Sequence, residues 1–131
     1  MYTGITMDGT AYRVRVRHNT LVRSFALLEG PNAGDMLTGR HERDLLGTGY
    51  SYQLAVEPVP EAPEDYDRFY EALSAPVDTH TITLPYGQGT MTFEAEILGG
   101  SDTWGGRLAG YDRWSGLVVE YRYIQPQRVP V

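Results

Sequence analysis

Histidine, carboxylate and hydroxyl side chains are where chemistry would begin, and in this sequence they are scattered. His18, His41 and His80 have no i, i+4 histidine partner and no HExxH arrangement, so a zinc-hydrolase motif is missing. Asp78 and His80 would share one face of a strand and could supply two metal ligands, but a third would have to come from elsewhere; a polar turn leading into a strand is the plainer reading. Glu94 and Glu96 also share a strand face, as an acid–base pair for glycoside chemistry would require. The alternation of apolar residues around them fits an ordinary solvated strand face better. None of Ser24, Ser51, Ser74, Ser101 and Ser115 sits in a GxSxG elbow, and neither the Gly87/Gly89 pair nor Gly99-Gly100 forms a GxGxxG phosphate loop. The chain has no cysteine, which excludes disulfides, thiolate nucleophiles and Fe–S clusters, and no lysine, which excludes Schiff-base chemistry. The expectation is a protein that is not an enzyme and carries no cofactor or metal.

Binding is better represented than catalysis. Trp104, Arg107, Tyr111, Arg113 and Trp114 are residue types enriched at binding hot spots, and since Trp114 opens a strand and could be core, Trp104, Arg107 and Tyr111 are the candidates. A second group is cationic: Arg13, Arg15 and Arg17 alternate along one strand, and Arg40 and Arg43 lie in a charged stretch further on. All 11 basic residues are arginine, through a bias of the source genome or through selection for bidentate contacts. Acidic residues concentrate between 57 and 71, a polarity that suits head-to-tail contact between like subunits as well as a merely solvated strand face. A net charge of −6 argues against nucleic-acid recognition, which needs cations to neutralise phosphates.

The elements that would hold these residues are mostly strands. Asp8-Gly9 supplies the positive φ angles of a type I′ turn between strands at 5–7 and 10–16, where Tyr12, Val14 and Val16 face a core and the arginines face out. Residues 21–28 read as a strand, 29–34 as a turn and 36–47 as a loop or edge strand. Tyr50, Tyr52, Leu54 and Val56 alternate cleanly with polar or small neighbours. Prolines from 58 to 63 break that strand. A helix over 63–75 follows, with Pro63 at its first position, Glu64 and Asp65 in the first turn, and Tyr66, Phe69, Tyr70 and Leu73 at i, i+3, i+4 and i+7. Short strands at 79–84 and 90–98 flank a turn at 85–89, residues 99–111 read as a glycine-rich loop, and 114–124 as a last strand. Hairpins rather than strand–helix alternation predict one mainly β domain over residues 1–131, an antiparallel β-sandwich or small barrel flanked by a single helix. No run of about 20 apolar residues appears, and the N-terminus lacks the pattern of a secretory signal, so no membrane span and folding in a cytoplasm are expected.

The segment from Asp65 through Tyr66, Phe69, Leu73 and Pro76 to His80 resembles a group of small phage and prophage proteins. The likeness extends over Arg23-Ser24-Phe25, Arg43-Asp44-Leu45-Leu46-Gly47-Thr48, Pro85-Tyr86-Gly87-Gln88, Trp114 and Pro126-Gln127-Arg128. It implies a virion component of the tail or its tip, made in the bacterial host cytoplasm. Its partners would be itself and other tail proteins, in a ring that is hexameric if of tail-tube or distal-tail type. The family resembled brings no catalytic residues. Two other functions fit single features: a tail-tip module binding a host-surface glycan through Trp104 and Tyr111, and, more weakly, a cell-wall hydrolase.

Overall fold

The computed structural model describes residues 3–30, 34–35, 41–42 and 45–129. In chain order the elements are β1 (Thr3–Met7), β2 (Thr10–Val16), β3 (Val22–Glu29), β4 (Gly34–Asp35), β5 (His41–Glu42), β6 (Leu45–Pro58), α1 (Pro63–Ser74), β7 (His80–Tyr86), β8 (Gly89–Leu108) and β9 (Tyr111–Tyr123). The protein is mainly β with a single helix among the described residues, as the hairpin-rich sequence predicts.

Seven strands form one antiparallel sheet in the order β2-β1-β7-β8-β9-β6-β3, and β2 also pairs with β6. That extra pairing closes β2, β1, β7, β8, β9 and β6 on themselves as a small barrel and leaves β3 outside the closure. Both β2 and β3 run antiparallel along β6, with Val14–Val16 opposite Pro58–Val56 and Val22–Glu29 opposite Gln53–Leu45. The break between them is held to β6 by Arg17 N–H donating to the Ala55 carbonyl at 2.8 Å and Thr20 Oγ1 accepting from Ala55 N–H at 3.2 Å. β4 and β5 form a separate two-stranded ladder.

The alternation read from the sequence places the core. Val14, Val16, Leu54, Val56, Leu117, Val119 and Tyr121 are all buried, together with Ile5, Met7, Ile82, Leu84 and Ala95. The β1–β2 turn takes the expected form, Asp8 and Gly9 having φ of 54° and 80°. Its Asp8 carboxylate accepts from Thr81 N–H at 2.8 Å and lies 2.6 Å from His80 Nδ1, which docks the turn on β7. His80 is thereby buried against Asp8 and is not paired with Asp78.

Helix α1 begins where the prolines interrupt β6. Its N-cap, Ala62, makes no side-chain capping bond, and Pro63 occupies the first turn, where its missing N–H costs no hydrogen bond. Tyr66, Phe69 and Leu73 pack into the barrel core, and the Phe69 ring meets Tyr12 at 5.2 Å between centroids. One expectation for this helix needs correction: Tyr70 is 39% exposed and stands at the edge of the apolar face. Asp65 sits in the first turn as expected, and it is buried. Arg13 on β2 draws Asp65 inward by donating to it from both its backbone and its side chain.

The largest departure is at 99–111, expected as a loop. β8 continues through it to Leu108 and pairs with β9, which begins at Tyr111. Register shifts fall between Ile97 and Gly100, Ser101 and Thr103, and Trp104 and Arg107. The glycines are therefore at bulges in a continuing strand, Gly106 supplying a φ of 96° that a side chain would resist. The turn is Ala109-Gly110, with φ of 54° and 87°. No helix among the described residues is long and apolar enough to cross a membrane.

Candidate functional site

β6 and β9 run antiparallel, so the two hairpins built on them project in opposite directions along the strands. One is the β3–β6 hairpin; the other is the β8–β9 hairpin beyond Leu117. Both carry solvent-exposed apolar side chains. On the first these are Val22, Phe25, Leu27, Leu45 and Leu46, and on the second Trp104, Leu108, Tyr111 and Trp114.

In the β8–β9 hairpin, Trp104 lies opposite Trp114, Arg107 opposite Asp112, and Leu108 opposite Tyr111. Asp112 accepts from Trp104 Nε1 at 3.2 Å and from Arg107 Nη1 at 3.2 Å, and Arg107 Nη2 also donates to the Gly110 carbonyl at 2.8 Å. Arg113 lies 4.9 Å over the Tyr111 ring. The strand period thus puts Trp104, Asp112 and Trp114 on one face and Tyr111 with Arg113 on the other. The structure brings Trp104 and Arg107 together through Asp112, but Trp104 and Tyr111 do not form one platform. Trp114 is 43% exposed, so it belongs to this surface and not to the core.

The arginines of β2 divide. Arg13 pairs with buried Asp65 at 3.2 Å and reaches Glu64 at 3.9 Å. Arg17 pairs with Glu57, whose other oxygen accepts from Gly116 N–H at 3.2 Å. These two are spent within the chain, where the acidic 57–71 region meets the basic strand intramolecularly. Among the described residues Arg15 makes no ion pair, and its Nε is buried without a hydrogen-bond partner. Arg40 and Arg43 lie outside the described residues.

A further cluster was not singled out from the sequence. The Tyr86 hydroxyl donates to that of Tyr50 at 3.2 Å, Arg128 approaches the same oxygen at 3.5 Å, and Arg23 lies 5.2 Å over the Tyr86 ring. Bonds from Tyr86 and Arg128 lower the Tyr50 phenol below its ordinary value, while Tyr86, the donor, is raised. Gln127 clamps the Tyr50 backbone, Oε1 accepting from its N–H at 2.8 Å and Nε2 donating to its carbonyl at 3.2 Å. Segments 23–25, 85–88 and 126–128 therefore meet around Tyr50, through contacts that no local pattern in the sequence marks.

Glu96 lies 4.0 Å from Arg122, which fits the solvated strand face read for it. Among the described residues no three histidine or carboxylate side chains converge as a metal site would need. The arrangement presents surfaces: exposed apolar strands and a tyrosine–arginine cluster. No family model matches the chain, and no curated protein or solved structure does.

Proposed function

We propose that the protein is a structural subunit of a bacteriophage tail, assembling into a ring and contacting neighbouring virion proteins as a tail-tube, distal-tail or tail-terminator component. The observation that carries this reading is the β3 edge. β3 is eight residues long, pairs only with β6 among the described residues, and exposes Val22, Phe25 and Leu27 at 54%, 70% and 45%. A long apolar strand with one open edge templates pairing with another chain, and soluble monomers ordinarily cover or charge such an edge. Closed assembly of like subunits satisfies it. The sequence likeness to phage and prophage proteins supplies the particle in which the ring would sit.

Light scattering with negative-stain imaging tests the reading on the purified protein, together with detection of the chain in purified virions. Rings at raised concentration and presence in virions are expected. A protein that stays strictly monomeric at high concentration and is absent from virions overturns the proposal.

A further inference from the structure

β7 accompanies β8 only as far as His80 opposite Ala95, and β8 runs on beyond it to Leu108. Residues 75–79, which would extend β7, turn on themselves instead. Pro76 has no N–H to give, Val77 N–H donates back to the Ala75 carbonyl at 2.8 Å, and among the described residues no backbone hydrogen bond joins this segment to β8. The space left between them and the end of α1 is a groove of about 330 Å³, lined by Tyr70, Leu73, Val77, Leu98, Leu117 and Val119. Tyr70, Val77 and Leu98 are exposed there. An apolar cavity of about 150 Å³ already holds a benzene ring, so this one has room for an aromatic side chain.

The rim of the groove is negative. Glu71 follows Tyr70 and Asp78 follows Val77; both are exposed, and among the described residues neither makes an ion pair. α1 has no basic residue in its last turn, so Glu71 stands at the helix end where the dipole disfavours a carboxylate. Arg68, one turn earlier, is held by Asp65. Two acids and a helix C-terminus without a cation are complementary to an apolar group flanked by positive charge.

The same chain carries such a group at β3. Phe25 is 70% exposed, Arg23 shares its strand face, and Arg128 lies 3.5 Å from the hydroxyl of Tyr50, the residue opposite Phe25 on β6. Arg23 rests over the Tyr86 ring, and among the described residues neither arginine has a carboxylate partner. The exposure of Phe25 shows that the chain does not fill its own groove.

We propose that the β3 edge of one copy docks on the next copy at this groove, inserting Phe25 between Tyr70, Val77 and Leu98 and setting Arg23 and Arg128 against Glu71 and Asp78. β8 at 97–100 is the strand that the β3 edge then meets. The contact joins two different surfaces, the heterologous type that closes into a ring. It rests on the ring reading above and names the surface that receives β3.

Arg23→Glu and Glu71→Arg, measured by light scattering singly and as an equal mixture, test the contact, with a melting curve for each protein. Both positions are exposed, and an arginine at 71 suits the helix end and the aspartate four residues before it, so both variants are expected to fold. Each alone is expected to need about tenfold more protein than the native chain to form rings, since one sets acid against acid and the other cation against cation. The mixture is expected to recover the native threshold: the introduced glutamate of one variant meets the introduced arginine of the other, and native Arg23 meets native Glu71. Val77→Trp, which fills the groove without changing charge, is expected to weaken assembly likewise, whatever the charge variants do to folding. If the native protein forms no rings, the ring reading and this contact fall together. If it forms rings and Glu71→Arg or Val77→Trp forms them as readily, or the mixture recovers nothing, this contact is overturned while the ring reading stands.

Discussion

Asp65 illustrates how a single side chain can belong to two descriptions. In the sequence it is an acid in the first turn of a helix, where the dipole alone accounts for it. In the fold it is buried, accepts the Arg13 backbone N–H at 2.8 Å and the Arg13 side chain at 3.2 Å, and pairs with Arg68. The Arg13 backbone bond is the largest influence lowering its carboxyl below the ordinary aspartate value, with the two arginines adding to it. A depressed folded value means that the unfolded chain takes up the proton first as pH falls. The stabilisation is therefore present above the ordinary carboxylate range and lost as pH drops through the lowered value. Urea midpoints measured from about pH 7 to about pH 3 should fall more steeply for the native protein than for Asp65→Asn, which starts lower and loses less. Parallel curves would show that Asp65 does not couple folding to protonation. Gly49 makes a second point at this scale: an added Cβ would stand 2.7 Å from the Tyr123 ring, so Gly49→Ala should cost about 1–3 kcal/mol in a urea melt through overpacking. Nothing local in the sequence marks either residue, because the partners that define them are 52 and 74 positions away along the chain.

Elements were legible wherever one period ran long enough. The alternation through Tyr50, Tyr52, Leu54 and Val56 and the helical spacing of Tyr66, Phe69 and Leu73 describe residues that are buried in the fold. The helix also shows where the pattern overreaches, since Tyr70 fits the same spacing yet is 39% exposed. Phe69→Ala should cost about 3–5 kcal/mol of unfolding free energy in denaturant melts, as expected for a fully buried aromatic. Tyr70→Ala should cost under about 1 kcal/mol. Equal losses would mean that the helix lies on the barrel in a different rotation. The β8–β9 hairpin was illegible for a physical reason. Gly99-Gly100 and Gly105-Gly106 signal loops when read locally, but the cross-strand ladder from Gly100 opposite Val119 to Leu108 opposite Tyr111 absorbs them as bulges. Only pairing with β9, a long-range contact, distinguishes the two outcomes.

At the scale of the whole molecule, closure of the barrel decides which strand is left over. β2 and β3 are consecutive along β6, but β2 also joins the ring of strands through β1, whereas β3 has β6 as its partner among the described residues. The sequence made sandwich and barrel equally admissible, because the β2–β6 pairing that closes the ring links segments some 40 residues apart, as Val16 opposite Val56 shows. The consequence for assembly follows from the free edge. Phe25 is 70% exposed at the middle of β3, so replacing it removes little from the folded monomer, and Phe25→Glu should change its stability by no more than about 0.5 kcal/mol. In a ring joined through this edge, the same carboxylate would be taken out of water against a neighbouring strand, and inward-pointing charge is a device natural sheets use to prevent edge pairing. Light scattering should therefore find rings for the native protein and for Phe25→Tyr, and monomers for Phe25→Glu, with melting curves alike for all three. If Phe25→Glu assembles as readily as the native chain, the ring does not form through β3.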